Sequence, residues 1–225
     1  MMKSMLRVAV LALGGLFLHS CAPQNTTQDP GKVALTVTTA QASFYPHELG
    51  IQWDYLLDND RLDAPPYRLT VEGGTLFGDQ ATTRFTLVGR GVMREYFRTY
   101  DETGVYLHGM TVPGVKITLV PPLQEYPSSK DWKVGTTWSG KTQITLLDDK
   151  GVRERLNADY KFTVLEQRNV TLNTSSRSYS VWVVNRQILG AKDILPESKE
   201  FYFVPFIGEV LSPDGFVLKS TNAGQ

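Results

Sequence analysis

Apolar and polar positions alternate in short runs from residue 68 to residue 220, and these runs are rich in β-branched and aromatic residues. The first half of the chain contains RLTVEG (68–73), RFTLVGRG (84–91), MREYFRTYD (93–101), GVYLHGM (104–110) and VKITLVPP (115–122). The second half contains KTQITLLDD (141–149), NADYKFTVLEQ (157–167), SYSVWVVNRQIL (178–189), KEFYFVPFIGEVL (199–211) and GFVLKS (215–220). A period of two residues places alternate side chains on opposite faces, so each run predicts a β-strand.

Turn-forming residues separate the predicted strands at 58–60, 73–74, 148–151 and 213–215. No segment shows a long, capped period of 3.6 residues, and the two stretches that could hold a short helix (119–131 and 186–198) are interrupted by proline. We therefore predict an all-β fold with little helix, built as an antiparallel curved sheet, a half-barrel or a sandwich. Pro205 lacks a backbone donor and predicts a bend or bulge within 199–211.

Two stretches of the chain repeat the pattern Gly-x-x-Trp, as Gly50 with Trp53 and Gly135 with Trp138. Each continues through a predicted strand to Leu-Leu-Asp, and the stretch 94–107 is similarly echoed by 199–211. The echo indicates two similar β halves, at about 44–122 and 132–220, although short β patterns also repeat by chance. In either case each glycine suits a tight turn, and each tryptophan closes one end of a core.

The chain begins with the features of an export signal. Lys3 and Arg7 form a basic region, and residues 8–18 form an apolar run of eleven residues, which is short for a bilayer span. The run leads to Leu18-His19-Ser20-Cys21, and this cysteine is the only one in the chain. The sequence resembles the lipobox of bacterial lipoproteins, apart from His19. An ordinary signal peptide with an incidental cysteine is the alternative.

The lipobox resemblance implies three regions. Residues 1–20 would be the signal peptide, residues 21–32 the lipidated Cys21 with a polar tether, and residues 33–225 a single β domain. The acyl chains on Cys21 would anchor the exported protein to the membrane. Because Ala22 rather than Asp follows the cysteine, the resemblance implies the outer membrane or the cell surface of a bacterium.

A second resemblance involves the stretch YPHELGIQWDY (45–55). It is similar to the YP…GxxWxY pattern of an envelope domain found in bacterial lipoproteins. Such domains are all-β and antiparallel, and some are like the half-barrels of lipoprotein carriers. The resemblance implies no reaction.

Charge excludes one class of partner. The chain has 23 basic and 23 acidic residues, so removal of Lys3 and Arg7 with the signal leaves 21 against 23, a net charge of −2. A nucleic-acid-binding domain needs a basic surface, and this composition offers none. We expect no nucleic-acid partner.

The stretch GTTWSGKT (135–142) matches the letters of a phosphate-binding loop. Such a loop requires a buried strand before it and a helix after it, because the helix N-terminus holds the phosphates. Here the residues before it are polar, and the alternating run 141–149 after it predicts a strand. We therefore expect no nucleotide and no cofactor, with Lys141 exposed on a strand.

Other catalytic signals are weak. Only His47 and His108 remain after the signal, and no metal-ligand spacing is present, so no metal site is predicted. The acidic stretch 54–63 is better suited to a polar hairpin tip than to a calcium loop. Ser139 has no nucleophile-elbow context. Paired carboxylates remain open because their spacing is set by the fold, but we expect that the protein is not an enzyme.

The chain contains ten Tyr, ten Phe and four Trp, and the aromatic residues are dense in two of the predicted strands. One interpretation is core packing. The other is a hydrophobic groove formed by Tyr96, Phe97, Tyr100, Phe201, Phe203 and Phe206. The first functional hypothesis is a non-catalytic envelope lipoprotein with a binding, assembly or structural role and an envelope protein partner. The alternatives are a carrier of a lipid or other hydrophobic ligand, and an envelope hydrolase.

Overall fold

The computed structural model describes residues 42–192, 194–195 and 197–224 of the chain. The predicted signal peptide, the predicted tether and Cys21 lie outside these described residues. Within them, no helix is long and apolar enough to cross a membrane.

The described residues form twelve β-strands and one 3-10 helix, Ser129–Asp131. The strands are β1 Gln52–Leu57, β2 Tyr67–Phe77, β3 Gln80–Gly89, β4 Val92–Asp101, β5 Gly104–Val112 and β6 Val115–Pro127, followed by β7 Thr137–Asp148, β8 Gly151–Thr171, β9 Ser178–Leu189, β10 Ser198–Val204, β11 Gly208–Leu211 and β12 Phe216–Thr221. The predicted all-β class is confirmed.

Every strand pairs antiparallel with its neighbours in sequence, and β1 pairs with β12, so the sheet closes into a barrel. Closure leaves no free edge strand in the sheet. The predicted curved antiparallel sheet is therefore found in its fully closed form. Many connections are two-residue turns; at Arg90-Gly91 both residues have positive φ, of 46° and 81°, as a tight hairpin between right-twisted strands requires.

Pro205 causes a larger change of direction than a bend within a strand. The predicted single run 199–211 is split by a turn at residues 205–207 into β10 and β11, which pair with each other. The missing donor of Pro205 is tolerated because the residue lies in the turn rather than in the ladder.

The barrel wall has a seam between β6 and β7. Backbone pairing between these strands covers only Lys116–Val120 and Gln143–Leu147. Beyond it, side chains replace the ladder: Thr142 Oγ1 donates to the Pro121 carbonyl at 2.6 Å and Trp138 Nε1 donates to the Gln124 carbonyl at 3.1 Å. Pro121 and Pro122 follow Val120, the last residue of β6 that pairs with β7, and proline cannot supply the ladder donors.

The core is formed by two apolar clusters. One is centred on side chains from β6 to β10, including Trp138, Phe162, Phe201 and Phe203. The other is centred on β1 to β3 and β10 to β12, including Trp53 and Phe85. Between these clusters lie charged side chains, which define the candidate site.

Candidate functional site: a charged chamber inside the barrel

Strand β4 brings charged side chains into the barrel. Its alternate residues Arg94, Tyr96, Arg98 and Tyr100 all line interior cavities. Phe97, on the opposite face, instead stacks on Phe77 with ring centroids 4.3 Å apart. The two-residue period that predicted β4 therefore places two arginines on the inner face.

Three small cavities, of about 70, 60 and 90 Å³, share lining residues in the interior. We call the space that they form together the chamber. Among the described residues, its walls carry three cations, three carboxyl groups and five tyrosines: Arg94, Arg98, Arg186, Glu125, Glu209, Asp214, Tyr45, Tyr55, Tyr96, Tyr100 and Tyr126. Buried charge is costly unless it is paired, so the pairing of these groups decides the chemistry of the chamber.

Two of the three arginines form ion pairs. Arg98 donates from Nε and Nη2 to the two carboxylate oxygens of Glu125 at 2.5 and 3.1 Å. Arg94 Nη1 lies 2.9 Å from Asp214 Oδ2. The first pair is largely buried, with 14% and 19% of the side chains exposed, whereas the second is about one third exposed. Burial lowers the pKa of Arg98, but Glu125 outweighs it and the pKa lies well above its usual value.

Glu209, on β11, is the carboxyl group of the chamber that forms no ion pair with arginine among the described residues. Its Oε1 accepts a hydrogen bond from the Tyr126 hydroxyl at 2.5 Å. Burial raises its pKa to about 7; the hydrogen bond from Tyr126 opposes this rise, and the neighbouring charge of Glu125 adds to it. Near neutral pH, Glu209 is therefore divided between its acid and carboxylate forms.

Arg186 is the third arginine of the chamber. It lies on β9 between Val184 and Ile188, which share its face of the strand and are fully buried in the core. Its Nε and Nη2 atoms are buried and have no hydrogen-bond partner among the described residues. Burial lowers the pKa of Arg186, against the attraction of Asp214, Glu209 and Glu125.

The tyrosines of the chamber are hydrogen-bond donors over the physiological pH range. Burial raises the pKa values of Tyr55, Tyr96, Tyr100 and Tyr126 above the usual value for tyrosine. The Tyr55 hydroxyl donates to the Glu209 carbonyl at 3.0 Å. The strand that presents Glu209 is thus tied to β1 as well as to its ladder partners.

Aromatic side chains from the residues before β1 and before β7 pack together beside the chamber. The Tyr45 ring stacks on Tyr126 with centroids 5.3 Å apart, and the Trp132 ring stacks on Phe203 at 4.7 Å. Trp132 Nε1 donates to the Tyr45 hydroxyl at 2.6 Å. Tyr45 also lines one cavity of the chamber.

The chamber meets an open cleft at the turn that joins β11 and β12. Arg94, Pro213 and Asp214 line both the interior cavities and this cleft, which has a volume of about 1060 Å³. A ligand that enters the chamber from the cleft would therefore pass the Arg94–Asp214 ion pair.

The six aromatic residues of the predicted groove occupy different places. Tyr96 and Phe201 line one cavity of the chamber, and Tyr100 and Phe203 line another. Phe97 packs on the opposite face of β4. Phe206 is 45% exposed in the β10–β11 turn, where it contacts Phe44. Four of the six thus border the chamber, together with charged side chains.

The two Gly-x-x-Trp stretches have the same local geometry. Gly50 and Gly135 have φ values of 86° and 87°, and each donates its N–H to a strand carbonyl, of Val71 at 3.0 Å and Val164 at 2.8 Å. Trp53 and Trp138 are both buried, and their Nε1 atoms donate to the carbonyls of Ile207 and Gln124. The strands that they open, β1 and β7, lie six places apart in the barrel.

The residues that match the phosphate-loop pattern belong to the turn before β7 and to strand β7 itself. Gly135 occupies the left-handed turn before β7, and Gly140 lies opposite Tyr160, whose Oη would be 2.4 Å from a Cβ at that position. The predicted strand after the motif is confirmed as β7, where the exposed Lys141 lies 3.1 Å from Asp159. Ser139 lies in the same strand.

The remaining candidate residues do not themselves line the chamber. His47 stacks on Tyr100 at 4.1 Å, and His108 Nε2 lies 2.9 Å from Thr99 Oγ1. In the acidic stretch, arginines pair with Asp54, Asp60 and Asp63, and Asp58 lines the open cleft. Across the described part of the chain, no cluster of three or more His, Cys, Asp or Glu is arranged to hold a metal ion.

Sequence reasoning missed all six charged residues of the chamber: Arg94, Arg98, Arg186, Glu125, Glu209 and Asp214. A usable signal is present for Arg186, because a charged residue in the apolar alternation of 178–189 falls on the buried face. Comparison with protein family models, curated proteins and solved structures finds no match to this chain.

Proposed function

We propose that this chain is a non-catalytic lipoprotein of the bacterial cell envelope that binds a small polar ligand in its barrel at the membrane surface. The observation that carries the proposal is the cluster of six ionisable side chains inside the barrel. A buried ion pair is often no more stabilising than apolar residues of the same volume. Charges kept in the interior beside small cavities therefore favour ligand binding over a purely structural core.

The anchor is supported by the sequence. The basic residues, the apolar run and the lipobox-like ending at Cys21 form one continuous signal. A lipidated Cys21 would hold the barrel at the membrane surface through a polar tether, at the outer membrane or cell surface.

The anchor is tested by metabolic labelling with a fatty acid. The wild-type chain is expected to take up the label and to be processed to a shorter form. Cys21→Ser should accumulate as an unprocessed, unlabelled precursor. Label that persists in Cys21→Ser would refute the anchor without bearing on the chamber.

The binding role is tested by native mass spectrometry. The full chain is purified in detergent from its own envelope without added ligand, and its mass is compared before and after denaturing extraction. A small polar molecule that is released on denaturation supports the proposal. A chain that carries only lipid on Cys21 would favour an assembly role instead, with crosslinking in the envelope as the way to identify a protein partner.

The lipid-carrier alternative has less support from the interior. Each cavity of the chamber measures about 60–90 Å³, whereas pockets for drug-sized ligands typically occupy about 300–1,000 Å³. The cavities are also lined by charged groups, and an acyl chain would leave those groups desolvated without partners.

The hydrolase alternative has one observation in its favour. Glu125, Glu209 and Asp214 converge on the chamber, and Glu209, with its pKa of about 7, has the acidity of a general acid. Its test is the hydrolysis of a panel of nitrophenyl glycosides by the wild type and Glu209→Gln. Activity that is lost in the variant would replace the binding proposal with a catalytic one.

A further inference from the structure

Arg186 presents a hydrogen-bonding edge that no part of the described chain satisfies. Its Nε and Nη2 atoms are buried and unpartnered on the chamber face of β9. An unmet hydrogen bond on a buried charged group is costly, and buried charges in proteins are normally paired. A ligand group that accepts from both atoms would remove this cost.

A second arginine of the chamber, Arg98, shows which chemical group binds to the Nε–Nη2 edge of a guanidinium there. Arg98 uses Nε and Nη2 to hold the two oxygens of the Glu125 carboxylate. This side-on fork matches the geometry of a carboxylate or a phosphate. Glu209 is the carboxyl group of the chamber that does not already pair with an arginine. Its Oε1 accepts a hydrogen bond from Tyr126, and no ion pair between Glu209 and Arg186 is present among the described residues.

The charge of the chamber also favours an anion. Three arginines face three carboxyl groups there. Because burial raises the pKa of Glu209 to about 7, protonation of this group near neutral pH leaves the three cations with two carboxylates. The excess positive charge lies in a region of low dielectric, where it attracts anions more strongly than in water.

The size of the chamber restricts the anion. The two cavities that Arg186 lines measure about 70 and 90 Å³. Cavities of this size have room for a few water molecules or one small ion. The open cleft beside Arg94 and Asp214 gives an approach from outside.

We propose that the chamber binds a small oxyanion, carrying a carboxylate or phosphate group, on the Nε–Nη2 edge of Arg186. This inference rests on the proposed binding function of the chamber and adds the chemical class of its ligand. Arg186 would hold the two oxygens side-on, as Arg98 holds Glu125, and the buried cation would gain a partner that the described residues do not supply.

The test is calorimetric titration of the full chain in detergent, at constant ionic strength, with inorganic phosphate, acetate or glycerol 3-phosphate, and with chloride as the reference. Wild type is expected to bind an oxyanion and not chloride. Arg186→Gln should weaken binding by roughly ten- to a hundredfold, since it loses two charge-assisted hydrogen bonds. Arg186→Lys, which keeps the charge but not the fork, should also bind more weakly than wild type.

Arg84→Gln is the matched control. Arg84 also has a buried Nε without a partner, but it lies on β3 near Glu95, at 3.5 Å, and does not line the chamber. This variant should bind as wild type does. Equal weakening in Arg84→Gln and Arg186→Gln would overturn the assignment to Arg186, provided that both variants unfold cooperatively on heating.

The titration also separates this inference from the proposed function. If no oxyanion binds but native mass spectrometry shows a neutral molecule released from the chain, the binding function stands and the oxyanion inference is wrong. If neither experiment detects a ligand, both fail. Binding of glycerol 3-phosphate but not of inorganic phosphate would identify a lipid headgroup as the source of the anion, and the reverse would identify the free ion.

Discussion

Arg98 and Glu125 form a bidentate ion pair inside the barrel, between strands β4 and β6. The two strands are not neighbours, because β5 lies between them. The pair therefore links two strands that share no backbone ladder, over the inner face of β5. Since both side chains are largely buried, neither charge can be left alone without a large penalty.

Arg98→Met is expected to lower the free energy of unfolding by about 3–5 kcal/mol, because it leaves the Glu125 carboxylate buried without its cation. Replacing both residues, as Arg98→Met with Glu125→Leu, should cost less than the sum of the two single changes, because the pair is removed together. Urea denaturation of the three variants measures these values. Additive costs would show that the two residues do not act as a pair.

The exposed pair Arg61–Asp63 is the control for this prediction. Its side chains are 85% and 71% exposed, at a separation of 3.0 Å. Ion pairs at such positions contribute little, so Arg61→Ala should change the free energy of unfolding by less than about 1 kcal/mol.

We predict that titration of Glu209 makes the folded protein less stable as the pH rises. Its pKa is about 7 in the folded chain against 4.5 ordinarily, so the folded state binds more protons than the unfolded state between these values. The contribution of Glu209 to the free energy of unfolding is therefore fully present below pH 4.5. It falls by roughly 3 kcal/mol as the pH rises through 7. Urea denaturation at several pH values, compared with Glu209→Gln, measures the difference.

In the comparison of wild type with Glu209→Gln, the contributions of other titrating groups to the pH dependence of stability cancel, because both proteins contain those groups. Burial lowers the pKa of His108, which gives a slope of the opposite sign in both proteins. Glu209→Gln should therefore gain stability relative to wild type as the pH rises from 5 to 8. Parallel stability curves for the two proteins would mean that Glu209 does not titrate in this range.

Tyr126→Phe is expected to raise the pKa of Glu209 further. The Tyr126 hydroxyl donates to the Glu209 carboxylate and stabilises its charged form. Without this donor the carboxyl group keeps its proton to higher pH. The carboxyl carbon of Glu209, followed by NMR against pH, gives the midpoint directly, and an unchanged or lower midpoint would contradict the assigned hydrogen bond.

Gly50→Ala and Gly135→Ala should each cost about 1 kcal/mol, because both residues have positive φ, which a Cβ disfavours. Neither site has an atom within 4 Å of the added Cβ, so strain of the backbone is the only cost. Gly74→Ala is the control, since it also has open space but no positive φ, and it should be close to neutral. Thermal unfolding of the three variants checks the contrast.

The two-residue alternation of the sequence determined most of the fold. Runs such as 93–101 and 178–189 became strands because side chains of alternate residues can satisfy a core and a solvent face only in an extended chain. The turns before β1 and β7 followed from Gly50 and Gly135, which adopt a conformation with positive φ. The turn predicted at 73–74 is wrong, because Gly73 and Gly74 lie within β2, where the pairing with β3 has a bulge. The signal and the lipobox-like Cys21 are likewise read from the sequence, and they stay predictions, as does the origin of the two halves.

Closure of the sheet and formation of the chamber were decided by the tertiary structure. Whether β1 meets β12 depends on the accumulated twist and register of all twelve strands, which no local pattern records. The partners Arg98 and Glu125 are 27 residues apart in sequence, and Tyr126 and Glu209 are 83 apart. Arg98 and Glu125 meet once β4, β5 and β6 pair in register, whereas Tyr126 on β6 and Glu209 on β11 meet across the closed barrel. The local sequence pattern does not record either arrangement, so it could not show which charges share the interior.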